Sequence, residues 1–179
     1  TILRHKKSKL DGNSHVLLYG YGSYGMSMSP SFSSSRISLV DRDIIWVTCH
    51  IRGGLEKGMA HWKLGKMLNK KNTFNDFISC AKYLIEKNYT KKKKIIAYGG
   101  SAGGLLVGNV VNQIPHLLLG AILAVPFVDN LITNMDHSLP LTKGELLEFG
   151  DAKNNKKHFE YIKSYAPYDN VQKKDYPNI

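Results

Sequence analysis

Ser101 lies in the run Gly99-Gly100-Ser101-Ala102-Gly103-Gly104, which fits the pattern Gly-x-Ser-x-Gly. An apolar stretch at residues 94–98 (KIIAY) precedes it, and a second apolar stretch at residues 105–113 follows. A serine on a sharp turn from a buried strand into a helix has its hydroxyl lifted clear of the sheet on a strained backbone. The residues two before and two after must be tiny, because the strand and helix backbones nearly touch there. Gly99 and Gly103 meet that demand. The amide of Ala102, at the helix start, points where an oxyanion would form, and the helix N-terminus adds partial positive charge. Such parts suit nucleophilic acyl transfer. A plain strand-to-helix turn or a phosphate-cradling loop would use the same glycines. No Gly-Lys-Ser or Gly-Lys-Thr follows, which argues against a P-loop. Residues 120–128 are uncharged, so no acid stands at the ~20-residue spacing of a dinucleotide fold.

The elements that must hold this turn alternate strand and helix, which predicts an α/β fold with a largely parallel sheet. Strands are expected at residues 15–19 (HVLLY), 44–50 (IIWVTCH), 94–98 and 120–125 (GAILAV). Their continuous apolar runs suit strands covered on both faces. Phe74, Phe77, Ile78, Ala81, Leu84 and Ile85 recur at helical spacing, predicting a helix to about residue 88 that Asn72 or Thr73 caps. Another helix is expected over residues 105–113, stopped near Pro115, and a short one near residues 158–164. The first strand runs into a second glycine-rich segment, Gly20-Tyr21-Gly22-Ser23-Tyr24-Gly25.

With 179 residues and 42% apolar content, the chain is long and apolar enough for one globular domain with a real core. The longest apolar run, residues 117–128, is broken by Gly120 and Pro126 and falls short of the ~20 residues that cross a bilayer. No charged-then-apolar opening marks a signal peptide. Cys49 and Cys80 form no Cys-x-x-Cys or Cys/His array, so neither a zinc site nor a disulfide framework is legible. They read as small buried thiols of a reducing, cytoplasmic setting. No metal or cofactor is expected. The net charge of +11 admits a nucleic-acid or anionic-membrane partner. The lysines are dispersed, however, and the block at residues 91–94 fits a solvated turn before a strand, so neither partner is expected.

Seven blocks in order make the chain resemble the catalytic domain of the prolyl oligopeptidase family of serine peptidases. They are residues 19–25 (YGYGSYG), 52–54 (RGG), 70–77 (KKNTFNDF), 99–104 (GGSAGG), 125–129 (VPFVD), 139–145 (LPLTKGE) and 164–170 (SYAPYDN). The last two fit its oligopeptidase B branch in particular. The resemblance implies an α/β-hydrolase fold, with Ser101 as nucleophile and the Ala102 amide and Tyr21 hydroxyl as oxyanion donors. It implies that Tyr24 and Phe127 line the pocket for the residue before the scissile bond, where Glu145 would attract Arg or Lys of a short peptide.

Three departures from that pattern stand out. Relatives read Gly-Glu-x-Glu-Glu where this chain has Gly144-Glu145-Leu146-Leu147-Glu148, so Leu147 replaces one pocket acid unless Glu148 substitutes. Leu55 replaces a third glycine after Arg52-Gly53-Gly54, and His137 replaces a common acid. Without the resemblance, Glu145 and Glu148 read as a solvated helix start.

The acid and base of the triad would follow the strand expected after Tyr176-Pro177, so they and the gating β-propeller are expected outside these 179 residues. Asp129 with His137 or His158 is a conceivable local substitute, but neither histidine falls on an expected strand-end loop and both read as surface histidines. The sequence thus predicts part of a peptidase domain, inactive alone and completed by a complementary chain carrying the Asp and His. The rival readings are a non-functional product of a degraded or split gene and a basic nucleic-acid-binding domain.

Overall fold

The computed structural model describes residues 1–179. Five strands form one sheet in the order β1-β3-β2-β4-β5. They are β1 (Ile2–Leu3), β2 (His15–Tyr19), β3 (Ile44–Thr48), β4 (Ile95–Gly100) and β5 (Leu118–Ala124). Only β1 runs antiparallel; β2, β3, β4 and β5 are mutually parallel, as the alternating pattern predicts. The helices are α1 (Ser34–Val40), α2 (Met59–Lys63), α3 (Lys71–Glu86), α4 (Ala102–Gln113), α5 (Asn130–Met135), α6 (Thr142–Phe149) and α7 (Lys156–Lys163). This is the α/β-hydrolase arrangement of a mostly parallel sheet flanked by helices.

The apolar stripe of α3 is buried as its spacing dictates: Phe74, Phe77, Ala81 and Leu84 are at most 1% exposed. Helix α4 packs on β4 and β5, and its stretch from Ala102 to Asn112 is buried all round. A helix apolar on every side belongs in a core. Residues 91–94 form the expected surface turn into β4.

Two expectations change. Neither Asn72 nor Thr73 caps α3, which starts one turn earlier, after Lys70. Both side chains instead fasten neighbouring loops: Thr73 Oγ1 donates to the carbonyls of Arg52 (2.7 Å) and Gly65 (3.1 Å), and Asn72 Nδ2 donates to that of Leu64 (2.9 Å). Cys49 is buried, but Cys80 is partly exposed. No helix is long and apolar enough to cross a membrane.

Candidate active site

β4 ends at Gly100 and α4 begins at Ala102, so a single residue makes the turn. Ser101 takes φ 54° and ψ −119°, in the left-handed half of backbone space where side chains are strained. A Cβ on Gly99 would collide with the Gly103 carbonyl, and one on Gly103 would come within 2.8 Å of the Gly20 carbonyl. The glycines stand where the strand, the helix and the β2 exit loop converge.

The turn is tied on both sides to the exit of β5. The Ser101 N–H donates to the Ala124 carbonyl (2.9 Å), and the Ser101 carbonyl accepts from the Phe127 N–H (3.1 Å). Between them Val125 sits at φ 41°, a conformation a β-branched residue adopts only under constraint. The Ser101 side chain faces solvent.

Tyr21 follows β2, whose end is fixed by the Gly20 N–H donating to the Tyr98 carbonyl (3.2 Å). Burial pushes the half-buried Tyr21 phenol up, opposed by the neighbouring Ser101 side chain. The Tyr21 ring packs beside Gly103, two residues past the serine: a Cβ there would lie 3.4 Å from Tyr21 Cδ2. Ala102, as first residue of α4, has an N–H without an acceptor inside the helix.

A chain of rings leads away from this point. Tyr21 lies 6.2 Å from Tyr24, Tyr24 meets Phe149 edge-on at 5.9 Å, and Phe149 lies 5.7 Å from Phe127. The Tyr24 hydroxyl approaches Glu145 Oε1 at 3.5 Å. Glu145 is half-buried, and its Oε2 is buried without a hydrogen-bond partner. Burial pushes this carboxyl up. The sequence-predicted residues Ser101, Tyr21, Ala102, Tyr24, Phe127 and Glu145 thus line one region, with Phe149 as an unforeseen member.

Glu148 does not belong to a solvated helix start. It is 2% exposed, accepting from Trp62 Nε1 at 3.0 Å and pairing with Lys70 Nζ at 3.4 Å. Its carboxylate is engaged, so it cannot stand in for Leu147, which is 75% exposed. Lys70 is buried and also donates to the Gly22 carbonyl (2.8 Å) and Ser23 Oγ (2.6 Å). Burial pushes its ammonium down to about 8, against the pull of Glu148. The lysine therefore clamps the Tyr21–Tyr24 loop to the C-terminal turn of α6. Nothing local in the sequence reveals this pair, whose members stand 78 residues apart.

The local substitutes for a base do not assemble. His137 Nε2 lies 3.5 Å from Asp151 Oδ1, and His158 Nδ1 accepts from the Asp151 N–H at 3.0 Å. Asp129 precedes α5, and its carbonyl accepts from Thr133 Oγ1. Neither histidine pairs with Asp129.

Comparison with known proteins fits this geometry. Residues 30–179 match the prolyl oligopeptidase family of peptidases. The chain is 50% identical over 169 residues to "Protease 2" of Moraxella lacunata, covering 94% of this chain and 24% of that protein. It is 45% identical over 177 residues to "Dipeptidyl aminopeptidase BI" of Pseudoxanthomonas mexicana, covering 99% and 24%. The structure of oligopeptidase B from Leishmania major superposes with a TM-score of 0.96 at 44% identity, over 99% of this chain and 25% of that one. The chain spans about a quarter of the length of these relatives. With the serine turn, the fold and the matched residues in agreement, the chain belongs to the prolyl oligopeptidase family.

Proposed function

We propose that this chain is the nucleophile-bearing part of a serine peptidase of the oligopeptidase B kind, cleaving short peptides after Arg or Lys. The observation that carries the reading is the left-handed Ser101 between β4 and α4, with the Tyr21 ring beside the first turn of α4. Ser101 Oγ attacks the scissile carbonyl. The Tyr21 hydroxyl and the Ala102 N–H donate to the oxygen as it gains negative charge, and fixed donors of this sort strengthen as the charge develops. Tyr24 and Phe127 flank the residue before the scissile bond. The unpartnered Glu145 oxygen supports a cationic side chain there, because a guanidinium would relieve a buried, unpaired acceptor. With Leu147 turned to solvent, one carboxylate serves where relatives of the Gly-Glu-x-Glu-Glu pattern have two.

Ser101 needs a base, and the local histidines are engaged elsewhere. The proposal is therefore that these 179 residues alone turn over no substrate, and that the Asp and His come from a further segment or a complementary chain. The sheet supports such an addition. Asn178 forms a parallel bridge with Gly120, the Ala121 N–H donates to the Asn178 carbonyl at 2.8 Å, and the rest of the β5 edge is open. The test is cleavage of an Arg-containing reporter by this chain co-expressed with the remainder of its protein. Ser101→Ala should abolish cleavage, and Glu145→Gln should cost more on the Arg reporter than on a neutral one. A flat trace from a soluble complex would defeat the peptidase reading; equal losses on both reporters would defeat the basic specificity alone.

A further inference from the structure

Cys49 and Cys80 meet along a seam between the exit of β3 and one face of α3. Arg52, on that exit, grips Asp76 of α3 through Nε (2.8 Å), Nη2 (2.6 Å) and its own N–H (3.0 Å). Thr73, one helical turn earlier, donates to the Arg52 carbonyl. Cys80 lies four residues past Asp76, hence one turn further along the same face. The Arg52–Asp76 pair thus pins the β3 exit to α3 on the side where Cys49 and Cys80 line one cavity.

Cys49 and Cys80 face one another closely enough to perturb each other's titration. They share the wall of a cavity of about 420 Å³, where Cys80 is partly exposed and Cys49 only 2% exposed. The neighbouring Cys49 pulls the Cys80 thiol down against its partial burial, while burial pushes the Cys49 thiol up. A reachable thiol of lowered pKa beside a sheltered partner matches the arrangement of thiols that oxidise reversibly.

We propose that Cys49 and Cys80 form a peroxide-responsive dithiol that closes to an intramolecular disulfide across the β3–α3 seam. The Cys80 thiolate attacks a hydroperoxide; the O–O bond breaks, an S–O bond forms, and the leaving oxygen departs as water or alcohol after taking up a proton. The Cys49 sulfur then attacks the Cys80 sulfenic acid; the S–O bond breaks, the S–S bond forms, and the sulfenic oxygen leaves as water, taking the Cys49 proton. The two thiols together lose two electrons and the peroxide gains them. The new bond lies in the seam that supports the Tyr21 loop, where Gly22 packs against Ile51 and Gly53.

The test is hydrogen peroxide treatment of the purified chain, followed by non-reducing peptide mapping. The expected result is a Cys49–Cys80 cross-linked peptide within single chains, fully reversed by dithiothreitol. In Cys49→Ser, a dimedone adduct should accumulate on Cys80; wild type should show little. Sulfinic or sulfonic acid on Cys80 with Cys49 still a free thiol would overturn the proposal, as would cross-links formed only between molecules. The wild-type map decides the matter even where a serine variant folds poorly.

Discussion

On one face of the sheet, Val16, Leu18, Ile45, Val47, Ile95 and Ala97 are at most 5% exposed. On the other, Tyr19, Ile96 and Tyr98 remain half-buried and Ile122 is 46% exposed. Helices α3 and α4 close the first face, while α1 leaves a cavity of about 590 Å³ beside Tyr19, Trp46 and Tyr98 on the second. The serine turn hangs from the closed face: its helix is α4, and the clamp on its neighbouring loop is a buried lysine reached from the start of α3. What positions Ser101 therefore belongs to the closed face, whereas the second face is more exposed and β5 stands at the sheet edge.

Substitutions on the two faces separate them. Glu148→Leu strands the Lys70 ammonium in the closed interior. It should cost about 3–5 kcal/mol, read from the urea midpoint, because an unpaired buried charge is far worse than a missing pair. The double variant Lys70→Met/Glu148→Leu should recover part of that loss, the Gly22 carbonyl, Ser23 hydroxyl and Trp62 N–H being left without these partners. A mild effect of the single change would mean that water reaches the clamp.

Gly99→Ala forces a Cβ into the Gly103 carbonyl and should cost about 1–3 kcal/mol by the same assay. Full stability would mean that β4 and α4 approach less closely than described.

The Arg52–Asp76 pair sharpens the comparison through pH. Burial pushes the Asp76 carboxyl up, but the Arg52 hydrogen bonds outweigh it and hold it below its usual 3.8. The folded state thus binds this proton more weakly than the unfolded chain. The stabilisation is present above pH 3.8 and is lost as the pH falls through the folded value. Asp76→Asn should flatten the acid limb of a stability–pH curve; an unchanged limb would remove the pair from the seam's support.

Ile122→Thr, on the open face, should change stability by less than about 0.5 kcal/mol and reduce aggregation measured by light scattering. A loss comparable to that of Gly99→Ala would show that this face is covered.

The parts of the molecule legible in the sequence are those whose signal is local. Strand β2 is placed at its true bounds because an unbroken apolar run meets a glycine-rich loop. Helix α3 is visible through its stripe, and the serine turn through glycines that only a close backbone approach requires. Helix α1 escaped because Ser34, Ser35 and Ser38 are poor helix formers; its start relies on Ser33 accepting from the Arg36 N–H. Helix α6 was legible only as a helix start at Glu145 and Glu148; that it buries Thr142, Glu148 and Phe149 was not, because no one-sided apolar pattern marks a packed face. The Lys70–Glu148 and Cys49–Cys80 pairs are products of tertiary packing, and a charged or thiol side chain gives no sign of a partner so distant in the chain. Glu145 could be named only through a family resemblance, since alone it reads as an ordinary acid on a helix.

The central claim is that the backbone at residue 101 presents an activatable nucleophile. Fluorophosphonate labelling with peptide mapping tests it most directly, performed on this chain joined to the rest of its protein and on the chain alone. The account predicts label on Ser101 in the joined protein, far less on the isolated chain, and none on Ser101→Ala. Label on a different residue, or undiminished labelling of Ser101→Ala, would contradict it.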